Sequence, residues 1–282
     1  MVDHFPKRSV IRTVNIEPAI MFGAGRALLL QLAHPSVAQG VDDHSDFKGN
    51  PFKRLQGTLE ATYAVVFGSR ELAEAVGRRI HWIHEFVVGP GYQANDPSSL
   101  LWVHATLADT ALRCYTSLVE PLPADVEETY YQEMTRVAEV FGCPRSAQPA
   151  TLADLRAYMD ETIATIDVTA VGRDLASFIL DPTLPLGLHV PFKPVLGLQR
   201  RFTLGTIPPP IRKQMGVEWT ARDQEGFERA QARVRAIFRR TPRRVRTAPN
   251  RLSGPLMLWQ AQRHVDQWEQ QQRSSAADRR AA

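Results

Sequence analysis

Cysteine is scarce in this chain. Only Cys114 and Cys143 occur among the 282 residues, which excludes the disulfide framework that stabilises many small secreted proteins. The sequence also contains neither a CxxC nor an HExxH string, and these are spacings at which cysteine and histidine pairs commonly hold zinc. A zinc hydrolase is therefore not indicated by motif.

Long hydrophobic runs are absent as well. The stretch from Ala27 to Leu32, which is interrupted only by Gln31, is far shorter than the ~20 residues that span a bilayer as a helix. Residues Met1 to Val10 carry charges and a proline, without the apolar core of a secretory signal. We expect a cytoplasmic protein without a transmembrane segment.

Strand-like alternation is also missing, whereas helical periodicity with capping signals recurs along the chain. The predicted helices cover 51–68, 70–88, 97–118, 124–141, 152–165, 168–180 and 220–238, and a last one begins at Ser253 and Pro255. Four prolines within 181–194 predict an extended crossing segment. The sequence thus predicts an all-α fold, with a single large helical domain over 1–270 and a frayed polar tail at 271–282.

Positive charge is concentrated near the C-terminus. The formal net charge is +4, and nine arginines lie between Arg229 and Arg251. Such a segment could contact an acidic partner or, peripherally, an anionic membrane surface, and it equally fits a solvated helix face. No motif for nucleic-acid binding accompanies it, so we expect no nucleic-acid partner.

His104 is the most informative histidine. It lies on the apolar stripe of its predicted helix, with Leu100 and Ala108 four residues to either side, so its imidazole should point into the core. The Nδ1 proton could go to the carbonyl of Leu100, which would leave the Nε2 lone pair facing inward, as haem iron requires. A core histidine that holds no metal also fits this position.

Other polar residues could serve the same site. His84 falls near the apolar edge of its helix, whereas His81 is turned about 100° away from Ile80. Arg54 and Thr58 are one helical turn apart and could bind an anionic cofactor edge or bound oxygen, although a surface arginine and a threonine bonded to its own helix fit equally.

Gly23 and Gly25 lack the preceding strand of a dinucleotide-binding turn. They would let the backbone approach something flat and bulky, with Arg26 as a partner for a carboxylate.

Five strings in this order resemble the haem-dependent oxygenases that include the fungal oxygenase MpaB and the bacterial latex-clearing proteins. They are LAHPSVAQG around His34 with His44 following, Arg54-x-x-x-Thr58, IHEFVVG around His84, YQANDP from Tyr92, and LWVHATL around His104. The likeness extends from about Gly23 to the region of Trp219.

The resemblance implies an all-α fold around one b-type haem, and the absence of CxxCH agrees with haem held without a covalent bond. It implies that His104 ligates the iron and that Arg54 and Thr58 lie on the catalytic side. Latex-clearing proteins have a lysine directly before the threonine, where this chain has Gly57, so the distal pocket should differ. His34, His44 or His84 could fill the distal position, or it could remain open.

The expected function is therefore a haem b-dependent oxygenase that uses dioxygen on an apolar substrate, with isoprenoid or lipid-like chains suggested by the resemblance. A haem peroxidase or peroxygenase would use a similar site. A non-catalytic haem protein with two axial histidines also fits these residues, as does a helical scaffold without a cofactor.

Overall fold

Helices make up nearly all of the regular structure in the computed structural model. The structure describes residues 2–45, 51–182 and 186–281. The side chains of 51–55, 186–192 and 277–281 are outside this description. The α-helices are α1 (Val10–Asn15), α2 (Ala24–Ala33), α3 (Pro35–His44), α4 (Pro51–Phe67), α5 (Arg70–Glu85), α6 (Pro97–Leu118), α7 (Ala124–Val140), α8 (Leu152–Thr165), α9 (Ala170–Leu180), α10 (Leu186–Thr206), α11 (Pro209–Gln214), α12 (Ala221–Arg240), α13 (Arg243–Arg246) and α14 (Ala248–Ala281). Two 3₁₀ helices cover Pro18–Gly23 and Arg145–Ala147, and strands β1 (Val88–Gly89) and β2 (Tyr92–Gln93) form an antiparallel hairpin. The predicted all-α fold is confirmed.

The capping residues account for several helix starts. The side chain of Asp96 accepts a hydrogen bond from the backbone N–H of Ser98 at the start of α6. Thr220 and Asp223 form the reciprocal capping box predicted for α12.

Helix α5 ends at Glu85, three residues before the predicted end at Val88. The chain turns there into the β hairpin through Gly91, whose φ is +80°.

The segment 181–194 was predicted to be extended, and this prediction is wrong from Leu186 onward. Helix α10 begins at Leu186 and includes Pro191 and Pro194. Each proline removes one backbone hydrogen bond, but α10 packs against α2 and α12. Burial against these two helices outweighs the local cost of the prolines.

The C-terminal prediction is also corrected. Helix α14 begins at Ala248, five residues before the predicted start, and Pro255 lies inside it. It continues through 271–281, which were expected to fray. Packing along α4 and α5 supports the long helix, and Gly254 allows the close approach of Tyr63, whose ring lies where a Cβ would be.

Helix α6 forms the centre of the core. Its Trp102 is fully buried and donates a hydrogen bond from Nε1 to the carbonyl of Leu30 on α2, at 2.9 Å. Gly23 and Gly25 allow close helix contacts, because Cβ atoms there would collide with side chains of Thr110 and Thr203 respectively. The flat object expected beside these glycines is thus a pair of neighbouring helices.

In the described part of the chain, no helix is long and apolar enough to cross a membrane.

Candidate functional site

A cavity of about 740 Å³ lies between α3, α4, α5, α6, the β hairpin and α14. Its size is within the range of small-molecule and cofactor sites. Most of its wall is apolar, formed by Val37, Val41, Val76, Ile80, Ile83, Val87, Leu100, Val103, Leu107, Phe141 and Ala261. Among the described residues, four histidines interrupt this wall, namely His44, His84, His104 and His264, and Glu60 and Arg79 also line it.

His104 projects from α6 into this wall and is 7% exposed. Its ring stacks on Phe141 with the centroids 5.6 Å apart. Burial lowers the pKa of His104 to about 4, because the charged imidazolium would lose its hydration. The imidazole is therefore neutral at neutral pH and keeps a nitrogen lone pair.

The expected hydrogen bond from His104 Nδ1 to the Leu100 carbonyl is not present. Nδ1 is buried without a hydrogen-bond partner among the described residues. Since Nδ1 is sealed from the cavity, Nε2 is the ring nitrogen that can face it. The hydrogen bond expected to fix the tautomer is therefore missing, and the inward direction of Nε2 stays a prediction.

Thr58 and Gly57 bring α4 into the cavity wall. No atom of the described residues lies within 4 Å of the position that a Cβ would take at Gly57, so among them the residue leaves space at the position where the resemblance places a lysine in the latex-clearing proteins. Arg54 lies on α4 one turn before Thr58. Its side chain is outside the described residues.

His84 and His81 point in different directions from α5, as their positions in the sequence predict. His84 lines the cavity. His81 is exposed and lies in a separate shallow depression with Trp82 and Gly142. His84 is therefore the α5 histidine that can act at this site.

His44 is held at the cavity by the β hairpin. Its Nε2 lies 3.0 Å from Tyr92 Oη and 3.2 Å from the Val88 carbonyl, while Tyr92 Oη donates to Asp43 at 2.6 Å. The Asp43 carboxylate holds the phenol proton and raises the pKa of Tyr92 to about 12. Both neighbours of Nε2 thus accept hydrogen bonds, so Nε2 carries a proton and donates to them.

Arg26 and His34 lie outside the cavity lining. The Arg26 guanidinium is 2.8 Å from a carboxylate oxygen of Asp109 and donates to the Thr206 carbonyl at 3.0 Å. Burial lowers the pKa of Arg26, and the Asp109 charge opposes that shift. His34 lies beside Trp102, with ring centroids 6.3 Å apart, and burial lowers its pKa.

Sequence reasoning missed three ionisable residues of the cavity wall, namely Glu60, Arg79 and His264. His264 Nδ1 lies 2.6 Å from Glu60 Oε1. A signal was available, because Gly254, Leu258, Ala261 and Val265 recur at helical spacing. Placing His264 beside Glu60 still required the packing of α14 on α4.

Comparison with known proteins gives one family. Residues 11–236 match the family described as "ER-bound oxygenase mpaB/B'/Rubber oxygenase, catalytic domain". Uncharacterized proteins of Mycobacterium bovis and Mycobacterium tuberculosis are each 25% identical over 227 residues, which cover 77% of this chain and 88% of each relative. No solved structure matches the chain significantly. The matched span includes every element of the cavity wall except α14.

Proposed function

Because the chain belongs to the family of mpaB and rubber oxygenase catalytic domains, we propose that it is a haem b-dependent oxygenase that uses dioxygen to oxidise an apolar substrate. The observation that carries this proposal is the neutral, buried imidazole of His104 on the wall of a mainly apolar cavity. Membership supports oxygenase chemistry in general, whereas haem, the substrate class and the role of His104 are our proposals.

The residues present fit a haem. A neutral imidazole with Nε2 towards the cavity is the donor that haem iron takes in many oxygen-binding proteins. The apolar wall suits a porphyrin face, and the cavity has the size of a cofactor site. The orphaned Nδ1 of His104 is the weaker part of the fit, because a ligating histidine usually donates that proton to an acceptor.

Each group of residues has a separate part in the proposed reaction. Haem, when bound, supplies the iron chemistry that activates dioxygen. His104 would hold the iron, and the apolar wall would orient the substrate and exclude water. Thr58 would steady polar oxygen species near α4, with Arg54 one turn away on the same helix. The apolar wall favours an isoprenoid or lipid-like substrate over a charged one.

A non-catalytic haem protein is the second candidate. His84 and His44 line the same cavity as His104, so either could offer a second axial imidazole. A low-spin spectrum typical of two histidine ligands would favour this candidate, whereas a high-spin spectrum would favour the open site that an oxygenase needs. A peroxidase or peroxygenase differs from the oxygenase by turning over with peroxide instead of dioxygen.

Reconstitution with hemin tests the haem proposal. We expect one haem per chain with a Soret band in the wild type. His104→Gly should bind haem weakly, and added imidazole should restore the spectrum by filling the vacant ligand position. His81→Ala is the matched control and should keep haem, because His81 is exposed outside the cavity. Circular dichroism must first show that each variant is folded.

Two results would contradict the proposal. Wild-type protein that gives no Soret band after hemin titration would exclude the haem site altogether. A folded His104→Gly variant with an unchanged spectrum would show that His104 is a core histidine, and the ligand would then lie among the other histidines of the cavity wall, His44, His84 and His264.

A further inference from the structure

Helix α14 is apolar on two opposite sides. Its inward side carries Ala261 and Val265, each 2% exposed, which pack against α4 and α5. Its outward side carries Leu252, Leu256 and Trp259, which are 81%, 54% and 53% exposed. Their spacing of four and three residues aligns them in one stripe. Single exposed leucines are ordinary on protein surfaces, but a stripe of three large apolar side chains indicates an interaction site.

The chain around this stripe is entirely free of acidic residues. Between Glu228 and Asp266 it contains ten arginines and neither Asp nor Glu. Arg229 pairs with Glu225, and Arg243 and Arg246 pair with the buried Glu17. The remaining charge is not neutralised in this way, because no carboxylate of the described residues pairs with Arg239, Arg240, Arg244 or Arg251, all of them exposed.

We propose that this surface docks the protein on an anionic lipid bilayer. Leu252, Leu256 and Trp259 would enter the boundary between headgroups and acyl chains, and the exposed arginines would contact lipid phosphates. An amphipathic helix with a basic border binds membranes in this way without spanning them. Trp259 also suits the interfacial region, and Arg263 stacks over its ring with the guanidinium carbon 4.7 Å from the centroid.

Two other occupants fit less well. A second copy of the chain on this face would bring two sets of unpaired arginines together, and like charges would oppose the contact. A nucleic acid would satisfy the arginines but would leave the leucine stripe in water. A lipid bilayer is the partner that matches both the charge and the apolar side chains.

Docking through α14 would also bring the cavity close to the membrane. Ala261 and His264 line the cavity on the opposite side of the helix turns that carry Leu256 and Trp259. If the proposed function holds, an apolar substrate could pass from the bilayer to the cavity along this helix. Membrane binding itself does not depend on haem and can be tested without it.

Co-sedimentation of the full chain with vesicles tests the proposal. We expect weak binding to pure phosphatidylcholine and strong binding when phosphatidylglycerol is included, with partial loss at high salt. Leu252→Asp with Trp259→Asp should weaken binding at least tenfold, because two apolar anchors are lost. Arg244→Gln with Arg251→Gln should weaken it about 25-fold, at about fivefold for each basic side chain near an anionic surface.

Matched controls keep the number of changes equal. Phe86→Asp with Val195→Asp places two carboxylates on apolar residues that are 60% and 59% exposed elsewhere. Lys213→Gln with Arg222→Gln removes two exposed cations outside the surface. Both controls should bind the mixed vesicles within about threefold of the wild type, since each charge far from the membrane is screened beyond ~10 Å.

Several outcomes would overturn the proposal. The protein could fail to bind the mixed vesicles, or the control variants could lose as much vesicle binding as the test variants. The protein could instead bind duplex DNA but not vesicles, or form a dimer that Leu256→Asp disrupts while vesicles remain unbound. Because hemin titration is measured separately, failure of membrane docking would leave the haem proposal intact, and the reverse also holds.

Discussion

Arg26 is a buried cation whose partners explain its position. Its guanidinium contacts Asp109 and the Thr206 carbonyl, and both charged side chains are less than 10% exposed. A buried ion pair of this kind is costly to break, because the remaining charge loses its partner without regaining water. We therefore assign Arg26 a structural role in joining α2, α6 and α10.

Arg26→Met tests this role at the scale of a single residue. We expect the free energy of unfolding to fall by about 3 kcal/mol, near the low end for broken buried pairs, because Arg113 still contacts Asp109. Urea denaturation measures the loss, and hemin titration of the folded variant should give the wild-type affinity. Normal stability with lost haem would show instead that Arg26 acts on the cofactor.

Among the elements, α14 links the cavity to the outer surface. Its inward side closes the cavity with Ala261 and His264, and the pair of His264 with Glu60 ties it to α4. Because His264 is about half exposed, the pair should add less to the attachment than the burial of Ala261 and Val265.

Val265→Asp should detach α14 from the rest of the protein. A carboxylate at this buried position lacks a partner, and we expect a loss of about 4 kcal/mol in stability. Limited trypsinolysis should then cut rapidly at the arginines between α12 and α14. Leu256→Asp changes the same helix on its exposed side and should stay within about 0.5 kcal/mol of the wild type. Equal protease resistance of both variants would argue against this packing.

At the scale of the whole molecule, the cavity joins parts of the chain that are far apart in sequence. Its wall runs from Gln31 on α2 to His264 on α14. A cofactor that fills the cavity contacts residues within 31–141 and on α14, so its binding energy should stabilise the packing of these elements.

Haem should therefore raise the thermal stability of the wild type. At a free concentration of about 100 times its Kd, a ligand that binds only the folded state contributes about 2.7 kcal/mol. For a chain of this size, that corresponds to a rise in Tm of several degrees. Differential scanning calorimetry with and without hemin measures the shift. An equal shift in His104→Gly would indicate binding away from the proposed site.

The sequence by itself determined the features that depend on local chemistry. The starts of α4, α6 and α12 follow from Pro51, from Asp96 with Pro97, and from Thr220 with Asp223, because capping and the fixed φ of proline act within one turn. The burial of His104 and the separation of His84 from His81 follow from a period of 3.6 residues. The motif strings predicted the family that the comparison confirms.

Only the tertiary structure decided the features that depend on distant partners. The helical course of α10 and the early start of α14 required packing that outweighs proline locally. Arg26 with Asp109 and His264 with Glu60 are separated by 83 and 204 residues along the chain, so no local pattern could pair them. The stacking of His104 on Phe141 at the end of α7, and the absence of a partner for its Nδ1 among the described residues, likewise appear only in the folded core. Local periodicity shows which side of a helix is buried. The folded core determines which distant side chains contact that buried side.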